Sequence, residues 1–198
     1  MRPAVFLEKD GTLLEKAPAG GGRIRLRPGA VDALLLLSGL GYELVVIGNQ
    51  PGAARGVFPI GALEAVSAHL DDLFLTHGFE LAGCYWCPHD PSGRVMEYSF
   101  ACACRMPQPG LLHAAAGNHD VDLARSWMIA GDADAIGAGA RAGCNTAWIG
   151  DDDSMHRGLA DFAAPNLLDA AAVIMRARES RRESSWTRSR SSASPPAS

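Results

Sequence analysis

No apolar run in the 198-residue sequence approaches the length needed to cross a membrane. Ala33 to Leu40 falls far below the ~20 residues of a spanning helix, and Met1 to Leu7 is too short before Glu8 for a signal peptide. The expectation is a cytoplasmic chain with no membrane partner. A disulfide framework is also missing, because five cysteines cannot all pair, and an odd set fits metal ligation in a reducing compartment better. Nucleotide cofactors find no support: Gly137 and Gly139 are followed by Gly143, which misses the dinucleotide spacing, and no glycine loop carries a phosphate-cradling lysine. Those glycines instead suit close packing of a helix on a sheet. Positive charge is scarce outside the C-terminal tail. Residues 176–198 carry six arginines against Glu179 and Glu183, a net +4, and the remainder is at −8.

What is present suits one compact domain, since 198 residues at 47% hydrophobic content bury a sizeable core without dividing. The boundary is expected near 175. Beyond it the arginine- and serine-rich tail, 176–198, has too few aliphatic groups to offset its ordering entropy and is read as disordered, a solubilising extension rather than a nucleic-acid arm. Within 1–175, strand-length apolar runs alternate with stretches of helical period, which predicts an α/β fold with a doubly wound parallel sheet. Strands are expected near Ala4–Glu8, Tyr42–Ile47, Leu81–Trp86, Ser126–Ala130 and Asn145–Ile149. Helices are expected at Ala30–Ser38 after Pro28-Gly29, Ile60–His77 after Pro59, Gly110–Gly117 after Pro109, and Leu167–Arg178 capped by Asn166. Gly20-Gly21-Gly22 reads as the tip of a small hairpin over the site, with no cap domain.

Two constellations carry chemistry. The first strand runs into Glu8 and Asp10, then Gly11, so two carboxylates reach the crevice at the carboxyl end of the sheet, where they can share a cation and divide the roles of nucleophile and proton donor. The second is Cys87-Pro88-His89, twelve residues, then Cys102-Ala103-Cys104. Three thiolates and an imidazole are the donor set of a closed structural zinc site, with Cys84, separated from Cys87 by two residues, as an alternative ligand. His69, His77, His113, His119 and His156 are scattered and read as surface residues, and Cys144 as core.

With Phe6-Leu7-Glu8-Lys9-Asp10-Gly11-Thr12, the loop Asn49-Gln50-Pro51-Gly52-Ala53-Ala54-Arg55-Gly56, and the segment from Cys87 through Cys104-Arg105 in view, a resemblance is apparent. The chain resembles the histidinol phosphatase and D-glycero-D-manno-heptose 1,7-bisphosphate phosphatase branch of the haloacid dehalogenase (HAD) superfamily, from about residue 3 to 174. The resemblance implies a HAD-like Rossmannoid fold with a minimal cap, a zinc loop over 84–107, and anion contacts from Asn49, Gln50, Arg55 and Arg105. It also locates departures. Glu8 stands where the family has the aspartate that becomes phosphorylated, and Asp10, the leaving-group acid, is retained. Gly48 stands in place of a phosphate-binding threonine or serine, and Met106 in place of a lysine. In the last motif, Gly-Asp, three residues, Asp, an ungapped alignment falls on Ala130, Gly131 and Ala135. A one-residue slip recovers Asp132 but puts the second acid on Ile136, with Asp134 able to compensate only if the loop is rebuilt.

Each motif has thus lost a group of defined chemical purpose. The expected protein is a degenerate phosphatase holding structural zinc, with Glu8, Asp10 and Asp132 a weak magnesium site, that binds a phosphorylated small molecule or a protein partner as a monomer. Two alternatives stand beside it: an active magnesium-dependent phosphomonoesterase acting through Glu8 and Asp10, and a structural zinc-containing subunit.

Overall fold

The computed structural model describes the backbone of residues 1–15, 24–150 and 157–191, and the side chains over the same ranges except 157 and 181–191. Its elements in chain order are β1 (Ala4–Glu8), α1 (Ala30–Gly39), β2 (Glu43–Asn49), α2 (Ala62–Thr76), β3 (Gly83–Cys87), α3 (Gly110–His119), β4 (Trp127–Ala130), α4 (Ala133–Ala142), β5 (Asn145–Ile149), β6 (Phe162–Ala164) and α5 (Leu167–Ser191). The six strands form one parallel sheet in the order β3-β2-β1-β4-β5-β6. The chain winds outward from β1 in one direction and from β4 in the other. The order therefore reverses between these two strands, and the crevice beyond their carboxyl ends is where such sheets bind ligands.

Strand alternation explains the two cores. Val5 and Leu7 face a layer built by Leu34 and Leu37 of α1, Leu70 and Phe74 of α2, and Ala170 and Ile174 of α5. Ala4 and Phe6 face the opposite layer, built by Leu112 and Ala115 of α3 and Ile136 and Ala138 of α4. With both faces covered, the central strands are continuously apolar, as a parallel sheet requires. Where α4 crosses β4, a Cβ on Gly139 would stand 2.4 Å from Met128 Cβ, so glycine permits the close approach. Cys144 is buried beside this contact.

The elements begin and end near their expected positions, with α4 and the edge strand β6 added. Asn166 Oδ1 accepts from Asp169 N at 2.9 Å and so caps α5. That helix departs from expectation at its far end. Its backbone continues past Arg178 to Ser191, so the segment 176–191 that composition marked as unstructured is helical, while 192–198 lie outside the described residues. Arginine and glutamate are good helix formers, and composition understated their propensity to extend a helix already nucleated by packing. Arg178 anchors the point of departure by donating to the Leu40 carbonyl and lying over the Tyr42 ring.

After β1 the chain turns at Gly11, whose φ of 84° favours glycine. It then pairs Leu14 antiparallel to Leu26, with Arg27 N donating to Leu13 O. These are two legs of a hairpin beside the carboxyl end of β1. The expected tip, Gly20 to Gly22, lies outside the described residues. Among the described residues no helix is long and apolar enough to cross a membrane.

Candidate active site and metal centre

Glu8 ends β1 and is captured immediately. Its Oε2 accepts from Thr12 Oγ1 at 3.1 Å and from Gly131 N at 3.1 Å, and the buried Thr12 Oγ1 itself accepts from Gly131 N at 2.8 Å. Burial, reinforced by the negative charge of Asp132, pushes the Glu8 carboxyl up to about 7 even though the bonds from Thr12 and Gly131 favour its ionised form. Asp10, two residues on, is more open: Lys9 Nζ lies 2.6 Å from its Oδ1, and Gln50 Nε2 donates to its Oδ2 at 3.3 Å. Asp132 caps α4, its Oδ1 accepting from Asp134 N and Ala135 N.

Glu8, Asp10 and Asp132 line a cavity of about 400 Å³ together with Gly131 and Arg27. An adjoining hollow of about 240 Å³ adds Gly48, Asn49, Met106 and Asp134. Asp132 carries its carboxylate into the cavity just beyond the end of β4, the position that the one-residue slip of the last motif expects for the first acid. A side chain at Gly131 would meet Ile149 O, 2.8 Å from its Cβ, which is why glycine stands there. Ala135 is buried within α4, and Ile136 belongs to the core. Asp134 lines the smaller hollow.

The anion contacts expected from the sequence have other partners. Asn49 spans the backbone of Met106, donating to its O and accepting from its N, both at 3.0 Å. Arg55 pairs with Asp90 at 2.7 Å, and Arg105 donates to His89 O at 2.8 Å. The Ser92 N–H, then Arg55, hold the Asp90 carboxyl below its ordinary value. Neither arginine lines the cavity, and Gln50 faces Asp10. Arg27, which carried no sequence signal beyond preceding Pro28-Gly29, lines it, with its Nη1 on Gly11 O at 2.6 Å.

The thiol cluster joins Cys87, the last residue of β3, to the loops that follow it. Cys87, His89, Cys102 and Cys104 place their ligating atoms all within 4.8 Å of one another, and among the described residues they are the one such group. The sulfur pairs lie 3.2, 3.3 and 3.5 Å apart, and His89 Nδ1 is 3.3 Å from Cys104 Sγ and 3.6 Å from Cys87 Sγ. Ligands at ~2.3 Å from a tetrahedral ion have edges of about 3.8 Å, so a small outward movement admits a metal. Arg105 N donates to Cys102 Sγ at 3.2 Å, a bond that favours thiolate. Cys84 is not part of the group. Three residues before Cys87 on the same strand, it faces the other side of the sheet, where it packs against the core near Ser67 and burial pushes its thiol up to about 12.

No protein-family model matches the chain. It is 34% identical over 150 residues to D-glycero-beta-D-manno-heptose-1,7-bisphosphate 7-phosphatase of Salmonella typhi, covering 73% of this chain and 78% of that one. It is 35% identical over 144 residues to the enzyme of the same name from Rhodopseudomonas palustris, covering 72% and 80%. The chain belongs to the heptose-bisphosphate phosphatase family. A crystal structure of the D,D-heptose 1,7-bisphosphate phosphatase of B. bronchiseptica, complexed with magnesium and phosphate, superposes with a TM-score of 0.74 at 25% identity over 89% of this chain and 99% of that one. Membership in the heptose-bisphosphate phosphatase family accounts for the HAD-like fold.

Proposed function

We propose that this family member has little or no hydrolytic turnover and uses the crevice to bind a phosphorylated small molecule. The observation that carries the reading is the state of the nucleophile slot. The Glu8 carboxylate is one methylene longer than an aspartate and is drawn onto Thr12 and Gly131, and a displacement of about 1 Å is enough to cost on the order of a hundredfold in rate. Around it Gly48 offers no hydroxyl and Met106 no charge. Asp10 and Asp132 line the cavity and would hold magnesium through one or two carboxylates and water, which is how this ion commonly binds, although the three acids do not gather into one ion-sized set. A bound magnesium ion would supply positive charge against a phosphoryl group. For the Cys87, His89, Cys102 and Cys104 group we propose zinc in a structural role, because four protein donors leave no open position for substrate. Thiolate ligation is consistent with a cytoplasmic protein.

The retained acids favour a second reading, an active magnesium-dependent phosphomonoesterase. Release of phosphate from D-glycero-D-manno-heptose 1,7-bisphosphate and from histidinol phosphate, with and without magnesium, decides between them. We expect no release above background, and turnover at an ordinary rate of about 1 per second or more would overturn the proposal.

A further inference from the structure

Resting on the reading that the crevice binds a phosphorylated molecule, we propose that Arg27 is the residue that receives the phosphate group. Glu8, Asp10 and Asp132 line the cavity, so an anion entering it needs positive charge from the protein wall or from a cation. The arginines of the neighbouring loops, Arg55 and Arg105, do not line this cavity, and Arg55 is paired with Asp90. Lys9 is held by Asp10 and largely covered. Met106 carries no charge.

Arg27 remains, and among the described residues it is the one cationic side chain lining this cavity. It is preorganised there. Its backbone N–H donates to Leu13 O in the hairpin, and its Nη1 donates to Gly11 O at 2.6 Å, fixing the guanidinium beside the turn that follows Asp10. No other hydrogen bond of its guanidinium is found among the described residues, so the rest of the donor fork is free for a bidentate contact with phosphate oxygens. The cation thus comes from the hairpin, on a different loop from Met106. Such a contact serves binding without aligning a nucleophile, which is consistent with a pocket that holds its ligand unhydrolysed.

Calorimetric titration of inorganic phosphate into the full-length protein, with and without magnesium, tests the assignment. Wild type should bind saturably, Arg27→Gln should weaken binding by about tenfold or more, Arg27→Lys should retain most of it, and Arg25→Gln, an exposed neighbour on the same leg, should leave it unchanged. A purely structural brace for the Gly11 turn would lower the melting temperature of Arg27→Gln and leave its phosphate affinity intact, and that result overturns the proposal. So does the absence of saturable phosphate binding to wild type. If Arg27→Gln does not fold, arginine-directed dicarbonyl labelling reads the same contact: phosphate should protect Arg27, and equal labelling in its presence and absence rejects the role. Turnover is measured separately, so a finding of catalysis leaves this result standing on its own.

Discussion

Glu8 has a carboxyl that prefers its proton, because folding removes it from water and sets it near Asp132. The sign of the consequence follows from linkage. The folded protein holds that proton more tightly than the unfolded chain, so the associated stability is fully present below about 4.5 and is lost as pH rises toward about 7. Glu8→Gln removes the titration and keeps the shape. In magnesium-free buffer the stability difference between wild type and Glu8→Gln should therefore change by about 2 to 3 kcal/mol between pH 5 and pH 8, with the variant relatively favoured at the higher pH. Denaturant melts at the two pH values measure it, and a difference that does not move with pH would remove the buried-acid account. At this scale the acids were legible in the sequence, because an apolar strand that ends in Glu8 and Asp10 points them into the crevice whatever surrounds it. The partners of Asn49, Arg55 and Arg105 were not. Each is fixed by a residue far away in sequence, and residue type alone does not distinguish an anion contact from a brace for the loop carrying Met106.

Among the elements, the zinc loop shows how spacing and strand geometry combine. Close pairs at 87/89 and 102/104 announce a four-ligand set, but whether Cys84 can join it depends on the face of β3 that Cys84 occupies. Strand alternation sends Cys84 to the α2 side. Metal analysis of protein purified without chelator should accordingly find about one zinc per chain in wild type and in Cys84→Ser, and little in Cys102→Ser. Loss of metal from Cys84→Ser would reassign the ligand, and metal-free wild type would dismiss the site. In Cys102→Ser the loop 90–101 should also be cut faster by protease, since ligation there is folding energy. The α4 packing offers a second test. Gly139→Ala puts a Cβ 2.4 Å from Met128 Cβ with no room to move apart, and should destabilise the protein by about 1 to 3 kcal/mol in a urea melt. The sequence placed glycines at this crossing. It did not place β6, a three-residue edge strand too short to show any period, nor the reach of α5 to Ser191, which composition could not foresee.

Taken as a whole, the molecule has the frame of its family, with Glu8, Asp10 and Asp132 lining the crevice. The fold was readable because β/α alternation and both apolar faces of the sheet are written across the entire chain, whereas which acid after β4 enters the cavity, Asp132, took the three-dimensional structure to see. On the proposal that the crevice has little or no turnover, the place of Asp132 narrows what a catalytic variant would need. Asp132 is already at the end of β4 and Asp10 is retained, so neither Gly131 nor Ala135 requires replacement, and a side chain at Gly131 would collide with Ile149 O. On that reading three positions are left to change, Glu8, Gly48 and Met106, beside acids that fall short of one ion-sized set. Groups that act as one catalytic unit are grossly non-additive, so Glu8→Asp alone should give no magnesium-dependent phosphate release from heptose 1,7-bisphosphate above background. The triple variant Glu8→Asp, Gly48→Thr, Met106→Lys should be the first to show it. A threonine in place of Gly48 must displace Gln50 and Trp86 slightly, because a Cβ there lies 3.3 Å from each, and a lysine in place of Met106 can extend its amine into the hollow that Met106 already lines. Full activity from the single Glu8→Asp variant would show that nucleophile length was the whole defect and that Gly48 and Met106 are compatible with turnover. Release by the triple variant alone would establish that the crevice lost its phosphatase chemistry through the combined loss of nucleophile, hydroxyl and positive charge.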